Sequence, residues 1–264
     1  MIENKSGPKT EDSVLLIDEH VEETSEGGLK VRHRGIYLLP NLFTTAALFC
    51  GFYAIIASIH GKFEPAAIAI FAAMVFDGLD GRIARLTNTQ SAFGVQYDSL
   101  SDMVSFGVAP ALVTFNWALS SLGKVGWAIS FLYATCAALR LARFNTQVDT
   151  TDKNYFTGLA SPAAAAILAS IVWVGTDNSI EISKLISMGV CSIVAISGIL
   201  MVTNIKYYSF KGLDFKSRVP FFMIIAAALI FALVQTDPPI VLLTLAAIYA
   251  LSGPLLGVWL KSRQ

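Results

Sequence analysis

From Gly35 onward, long apolar runs alternate with short polar breaks, and this alternation predicts a series of membrane-crossing helices. A helix needs about 20 mainly apolar residues to cross the roughly 30 Å hydrocarbon core of a bilayer. Runs of that length predict eight spans, at residues 36–59, 63–86, 95–120, 124–144, 157–175, 184–203, 219–236 and 239–260. The expected fold class is therefore an all-α integral membrane protein.

Residues 1–35 have a different pattern, because acidic residues dominate and the apolar run at 14–17 is short. The segment lacks the basic region, apolar core and small-residue cleavage site of a signal peptide. We expect residues 1–35 to be a mobile cytoplasmic tail. Residues 36–260 are expected to form one transmembrane domain, and residues 261–264 a cytoplasmic C-terminus.

Composition supports a membrane protein and excludes some functions. Hydrophobic residues make up 55% of the chain and charged residues only 14%, against about 25% charged residues in an average soluble domain. The formal net charge is zero, which excludes a globally basic nucleic-acid binder, and no groove-reading motif is present. The cysteines lie in apolar runs without a C-x-x-C pair, so no disulfide framework is implied.

The distribution of positive charge predicts the orientation of the spans. Of the 19 Lys and Arg residues, only Lys62, Lys124 and Lys184 fall on the side opposite the N-terminal tail. Cytoplasmic loops carry an excess of Lys and Arg. We therefore expect both termini to be cytoplasmic, in a bacterial-type inner (cytoplasmic) membrane.

Two neighbouring spans carry carboxylates at their predicted cytoplasmic ends. Asp77 and Asp80 are three residues apart and Asp98 and Asp102 four apart, so each pair lies on one face of its helix. An acid within a span costs about 2.5–3.5 kcal/mol and usually marks a functional site. The short turn between the spans makes them antiparallel neighbours, so the four carboxylates should converge and bind cations or share protons. Oxygen ligands favour Mg²⁺ or Mn²⁺ over zinc, and one or two ions fit.

The spacing of this segment has a close parallel. The pattern D-x2-D-G-x2-A-R-x8-G-x3-D-x3-D runs from Asp77 to Asp102 without a gap. It resembles the signature of the CDP-alcohol phosphotransferases, membrane enzymes that make phospholipid head groups. The resemblance implies that Asp102 is the proton acceptor that activates the incoming alcohol and touches a second metal. It also implies three metal ligands, Asp77, Asp80 and Asp98, and two ligands of the CDP group, Gly81 and Arg85.

Further residues are expected to contact the lipid substrate of that family, CDP-diacylglycerol. Glycines in the signature leave room for the nucleotide, and an arginine suits a bidentate phosphate contact. The Pro40-Asn41…Thr44 start of the first span resembles the family's nucleotide-lining start. Ser91 could contact phosphate or be a plain turn residue. The predicted CDP-diacylglycerol contacts are Asn41, Thr44, Gly78, Gly81, Arg85, Ser91 and Gly94.

Three segments bear on the acceptor alcohol. Residues 140–145, 156–162 and 204–211 resemble the membrane-integral phosphatidylserine synthases, although Ala160 stands where those enzymes usually have Pro. Serine has a carboxylate that an arginine would recognise. Arg140 and Arg143 are therefore predicted to bind serine, with Lys206 and Lys211 as the second choice. The arginines could instead be positive-inside anchors or bind the phosphate of glycerol 3-phosphate.

The expected reaction is transfer of the phosphatidyl group from CDP-diacylglycerol to the hydroxyl of L-serine, with CMP released. One alternative is another CDP-alcohol phosphotransferase, such as a phosphatidylglycerophosphate synthase. A cation transporter is less favoured, because the acids sit at one end of the spans and no second half repeats them. The expected partners are the two substrates and the lipid bilayer. The family often forms homodimers, and runs of small residues at 163–166 and 226–228 permit close helix packing.

Overall fold

The computed structural model describes residues 23–26, 29–32, 38–87, 91–146, 155–208, 225, 229 and 232–261. Contacts divide the chain into two units, Met1–Ile36 and Tyr37–Gln264. In the first unit, β1 (Glu23–Glu26) pairs antiparallel with β2 (Leu29–Arg32). The all-α fold class expected from the sequence does not include this hairpin.

The described residues of the second unit are mainly helical, with one pair of short strands. Strands β3 (Tyr155–Thr157) and β4 (Lys206–Tyr208) pair antiparallel, with Phe156 opposite Tyr207. A π-helical turn (Met103–Val108) joins two α-helices into one continuous rod, and a short 3₁₀ helix (Leu119–Leu122) follows it. The α-helices are α1 (Leu38–Ile59), α2 (Phe63–Leu86), α3 (Ala92–Asp102), α4 (Ala109–Trp117), α5 (Lys124–Thr146), α6 (Ser161–Asp177), α7 (Lys184–Val202) and α8 (Pro238–Lys261).

These helices match seven of the predicted spans to within four residues at each end, with α3, the π turn and α4 forming the third. The other predicted span, 219–236, lies largely outside the described residues. Within the described part of the chain, four helices are long and apolar enough to cross a membrane, at Leu39–Ile59, Lys124–Thr146, Lys184–Val202 and Pro238–Leu255. The number eight therefore stays a prediction.

Helix α2 is not among the four membrane-capable helices because it carries too many charged residues. Glu64 lies near one end of α2, and Asp77, Asp80 and Arg82 lie near the other. The same carboxylates that suggest a functional site thus make α2 less apolar than its neighbours. α6 is apolar but shorter than the four long helices.

Small residues hold the helices around the site close together. α1, α2 and α6 meet through alanines that are almost fully buried, among them Ala54, Ala66, Ala73, Ala165 and Ala169. Side chains this small allow close approach of helix backbones. Gly61 closes the turn between α1 and α2 with a φ of 71°, a conformation that favours glycine. The tight α1–α2 pair fixes the position of the aspartates of α2.

Candidate active site

Three of the four predicted aspartates converge. Asp77 of α2 and Asp98 and Asp102 of α3 each place a carboxylate oxygen within 4.8 Å of the other two. The side chains of Asp77 and Asp102 are hydrogen-bonded to each other. Oxygens bound to one Mg²⁺ lie at most about 4.2 Å apart, since each Mg–O distance is 2.0–2.1 Å. Small side-chain rotations would therefore let these three carboxylates hold one divalent cation.

The fourth aspartate lies beside this group rather than within it. Asp80 is only 5% exposed, and its Oδ2 accepts a hydrogen bond from the Thr44 hydroxyl at 2.7 Å. Its charge still interacts with that of Asp77. A spacing of three residues rotates two side chains by about 60° around a helix, since each residue turns it by about 100°. The role of Asp80 as a metal ligand stays a prediction.

A pocket of about 230 Å³ opens next to the aspartates, between the start of α1, the end of α2 and the start of α3. Asp80 and Asp98 form part of its wall. Of the residues predicted to contact CDP-diacylglycerol, every one except Gly78 lines it. The shared lining residues are Asn41, Thr44, Gly81, Arg85, Ser91 and Gly94.

The first turn of α3 faces this pocket and has the properties of an anion site. Ser91 caps the helix, because its Oγ accepts a hydrogen bond from the Gly94 N–H at 2.9 Å. A Cβ at Gly94 would lie 3.2 Å from that Oγ, so the turn has little room for a side chain. The helix dipole favours phosphate at such an end. From the sequence, Ser91 could be a phosphate contact or a plain turn residue, and its capping role is compatible with both.

The signature glycines of α2 have open space beside them. An added Cβ at Gly78 or Gly81 would meet no atom within 4 Å. Glycine within a helix is destabilising by roughly 0.5–1 kcal/mol relative to alanine, so local stability does not explain two glycines in this helix. Their bare backbone is accessible to a ligand, and Gly81 faces the pocket directly.

Thr44 connects the two aspartate-bearing helices. Its hydroxyl donates to Asp80 on α2, and its backbone carbonyl accepts from Ser101 of α3 at 3.1 Å. Thr44 lines the pocket but is only 4% exposed. Sequence reasoning missed Ser101 altogether. A small polar residue next to Asp102 inside an apolar span was the available signal.

Arg140 lies at the edge of the aspartate group. The guanidinium interacts electrostatically with Asp102, and its Nη1 donates to the Ser161 hydroxyl at 2.8 Å. Its Nε is buried and has no hydrogen-bond partner among the residues that the structure describes. Tyr249 of α8 also interacts with Arg140. Ser161 lies in the segment 156–162 noted from the sequence, which gives it no individual role, and Tyr249 lies beyond the last segment that resembles the phosphatidylserine synthases.

Arg143, one turn further along α5, has a different set of contacts. Its Nη2 donates to the Thr157 carbonyl at 2.7 Å, and its Nη1 donates to Asn204 Oδ1 at 3.1 Å and to the Val202 carbonyl at 3.3 Å. These bonds tie the end of α5 to β3 and to the end of α7. The structure therefore brings Arg140, and not Arg143, to the aspartates. Lys206 lies in β4.

Comparison with known proteins agrees with this site. Residues 37–252 match the family described as CDP-alcohol phosphatidyltransferase. The chain belongs to the CDP-alcohol phosphatidyltransferase family. The match covers every aspartate, glycine and arginine of the site described above. Together with the four apolar helices, membership of this family makes the chain an integral membrane protein.

Several curated relatives share much of the chain. A CDP-diacylglycerol–serine O-phosphatidyltransferase of Helicobacter pylori (strain J99) is 38% identical over 200 residues, which is 74% of this chain and 82% of the relative. The enzyme of that name from Bacillus subtilis (strain 168) is 32% identical over 66% of this chain and 91% of its own. The archaetidylserine synthase of Methanothermobacter thermautotrophicus is 36% identical over 66% of this chain and 71% of its own.

Proposed function

We propose that this member of the family transfers the phosphatidyl group of CDP-diacylglycerol to the hydroxyl of L-serine, giving phosphatidylserine and CMP. The named relatives support serine as the acceptor. The observation that carries the proposal in this chain is the position of Arg140. This cation lies beside Asp102, and its buried Nε–H has no acceptor among the described residues.

The donor lipid would place its nucleotide part in the pocket at the start of α3. The positive end of the α3 dipole would face the pyrophosphate, and Arg85 adds a positive charge from the end of α2. Gly81 lets the nucleotide approach the backbone of α2. The acyl chains would extend from this end of the helices into the bilayer.

A divalent cation, Mg²⁺ or Mn²⁺, would be held by Asp77, Asp98 and Asp102, and Asp80, whose charge interacts with that of Asp77, is proposed as a further ligand. Bound there, it would neutralise phosphate oxygens and the negative charge that develops as CMP leaves. The donor set fits such an ion, because carboxylate oxygens are the ligands that hard divalent cations prefer.

Asp102 is proposed as the general base. Its carboxylate would accept the proton of the serine hydroxyl while the serine oxygen bonds to the phosphorus that bears the diacylglycerol. The bond from that phosphorus to the oxygen of CMP breaks in the same reaction, so the negative charge leaves with CMP. The neighbouring Arg140 would hold the serine carboxylate and so place the hydroxyl near Asp102.

The orientation that we propose puts the site and both termini on the cytoplasmic side. Arg82 and Arg85 share the end of α2 that carries the aspartates. Arg140 and Arg143 lie near the end of α5, where Arg140 interacts with Asp102. An excess of arginine and lysine is typical of cytoplasmic membrane faces. Serine and the released CMP would then be exchanged with the cytoplasm. A homodimer stays a prediction from the family resemblance.

The direct test is release of CMP from CDP-diacylglycerol by purified protein in detergent. We expect release to depend on L-serine and phosphatidylserine to accumulate in equal amount. Glycerol 3-phosphate serves as the matched acceptor, since it also carries an anionic group. Release that depends on glycerol 3-phosphate and not on serine would reassign the acceptor, and the absence of release with any alcohol would contradict the reaction class.

A further inference from the structure

Two fully buried tyrosines donate hydrogen bonds to helix carbonyls in a similar way. The Tyr133 hydroxyl donates to the Phe106 carbonyl at 3.2 Å, and the Tyr207 hydroxyl donates to the Ala250 carbonyl at 3.1 Å. In each case a proline follows the accepting residue by four positions. Proline has no N–H and its ring clashes with the carbonyl four residues earlier. Each tyrosine therefore supplies a donor that the helix itself cannot provide.

The proline that follows Phe106 by four residues is Pro110. The helix changes from α to π winding just before Pro110. Residues Met103–Val108 form the π turn, in which the Ala109 N–H donates to the Val104 carbonyl five residues back. The clash with Pro110 gives a physical reason for wider winding at this point. Single π turns within α-helices occur frequently at functional sites. Here the turn begins directly after Asp102.

Serine side chains fix the opposite side of this segment to α1. Ser101 donates to the Thr44 carbonyl at 3.1 Å, and Ser105 donates to the Ala47 carbonyl at 3.0 Å. Gly51 leaves the space that Ser105 needs, since a Cβ there would lie 2.6 Å from its Oγ. The π turn is thus held by α1 on one side and by Tyr133 of α5 on the other.

Tyr133 and Arg140 are seven residues apart on α5, which places them on the same helix face. Arg140 interacts with Asp102, and Tyr133 bonds to Phe106, one turn beyond Asp102. We propose that Tyr133 is a positioning residue whose hydroxyl holds the π turn and thereby directs the Asp102 carboxylate toward the metal ion. This inference rests on the proposed metal site. It adds a role for a buried hydroxyl that touches neither substrate nor metal.

The test compares Tyr133→Phe with Tyr207→Phe in the full-length protein. Each substitution removes the hydroxyl of a buried tyrosine that donates to a helix carbonyl whose usual N–H donor is replaced by proline. Both should therefore lower the melting temperature similarly. Mn²⁺ binding is measured by electron paramagnetic resonance or calorimetry without substrates. We expect Tyr133→Phe to raise the Mn²⁺ dissociation constant by about twofold to tenfold, the range set by one lost hydrogen bond. Tyr207→Phe should leave it within about twofold of wild type.

A second substitution reaches the same turn by another route if Tyr133→Phe does not fold. Pro110→Ala restores the N–H that Phe106 lacks and removes the clash, so the turn should rewind and Mn²⁺ should again bind more weakly. If both variants bind Mn²⁺ with wild-type affinity and only their melting temperatures change, this inference is overturned and the proposed metal site stands. Wild-type protein that binds no Mn²⁺ would overturn the proposed metal site and this inference with it.

Discussion

Replacement of Arg140 by alanine is the perturbation that best separates recognition of serine from the rest of the reaction. In the structure its buried Nε has no hydrogen-bond acceptor among the described residues, while Nη1 is already bonded to Ser161. A carboxylate that accepts from Nε gains a charge-assisted hydrogen bond of about 1.5–3 kcal/mol. Since 1.4 kcal/mol corresponds to a factor of ten, we expect the KM for serine to rise by about 10-fold to 150-fold.

The assay first follows CMP release at varied serine concentration with saturating CDP-diacylglycerol. It then follows CMP release at varied CDP-diacylglycerol concentration with saturating serine. The KM for the lipid should change little, because Arg140 does not line the nucleotide pocket. Serine methyl ester, which lacks the anion, should be a poor acceptor for the wild type, and Arg140→Ala should lower activity with the ester less than activity with serine. Arg140→Lys keeps the charge but not the planar guanidinium, so its KM for serine should be intermediate.

Arg143→Ala is the matched control, because it removes a guanidinium from the same helix one turn away. Its three hydrogen bonds go to Thr157, Asn204 and Val202, so we expect a lower melting temperature and a KM for serine within about threefold of wild type. The reasoning would be refuted if Arg140→Ala raised the KM for the lipid instead. It would also be refuted if Arg143→Ala raised the KM for serine as much as Arg140→Ala.

Three further predictions concern the aspartates and Thr44. Asp77→Asn or Asp98→Asn should abolish activity without loss of folding, and EDTA should inactivate the wild type until Mg²⁺ or Mn²⁺ is returned; full turnover in metal-free buffer would contradict the metal site. Asp102→Asn should retain CDP-diacylglycerol binding and lose catalysis by at least 10²–10⁴-fold, the usual contribution of a general base, whereas near-normal turnover would assign the base elsewhere. Thr44→Val leaves the buried Asp80 without its 2.7 Å donor and should destabilise the protein by about 1–3 kcal/mol, measured by thermal unfolding; an unchanged melting temperature would argue against that bond.

The positions of the helices could be predicted from the sequence because a span has a required length. Apolar runs of about 20 residues between polar breaks leave little choice of boundary, and α5 and α7 begin at their predicted residues. The meeting of Asp77 with Asp98 and Asp102 was also predictable, since helical spacing and a short turn place them on facing sides. These are local properties of the chain.

Other features depend on contacts between distant parts of the chain and were not predicted. The bond between Thr44 and Asp80 joins residues 36 positions apart, and the carbonyls that accept from Arg143 come from two separate segments, β3 and the end of α7. No pattern in the sequence distinguishes Arg143 from Arg140. The π turn had a local signal in Pro110, which lies inside the predicted span 95–120, but its hydroxyl partner Tyr133 lies on another helix.

The hydrogen bonds around the site give a physical reason for its geometry. A polar group buried among apolar helices is costly unless it is paired, and Ser101, Ser105 and Tyr133 each meet that requirement by donating to a backbone carbonyl at 3.0–3.2 Å. Backbone carbonyls of packed helices move little, so these bonds fix the aspartate-bearing segment before substrate arrives. Arg140 Nε differs, because the described residues offer it no acceptor. If the serine carboxylate accepts this hydrogen bond, serine binding removes the free-energy cost of leaving the buried Nε–H unpaired in the free protein. That unpaired group would then be the group that selects serine as the substrate alcohol.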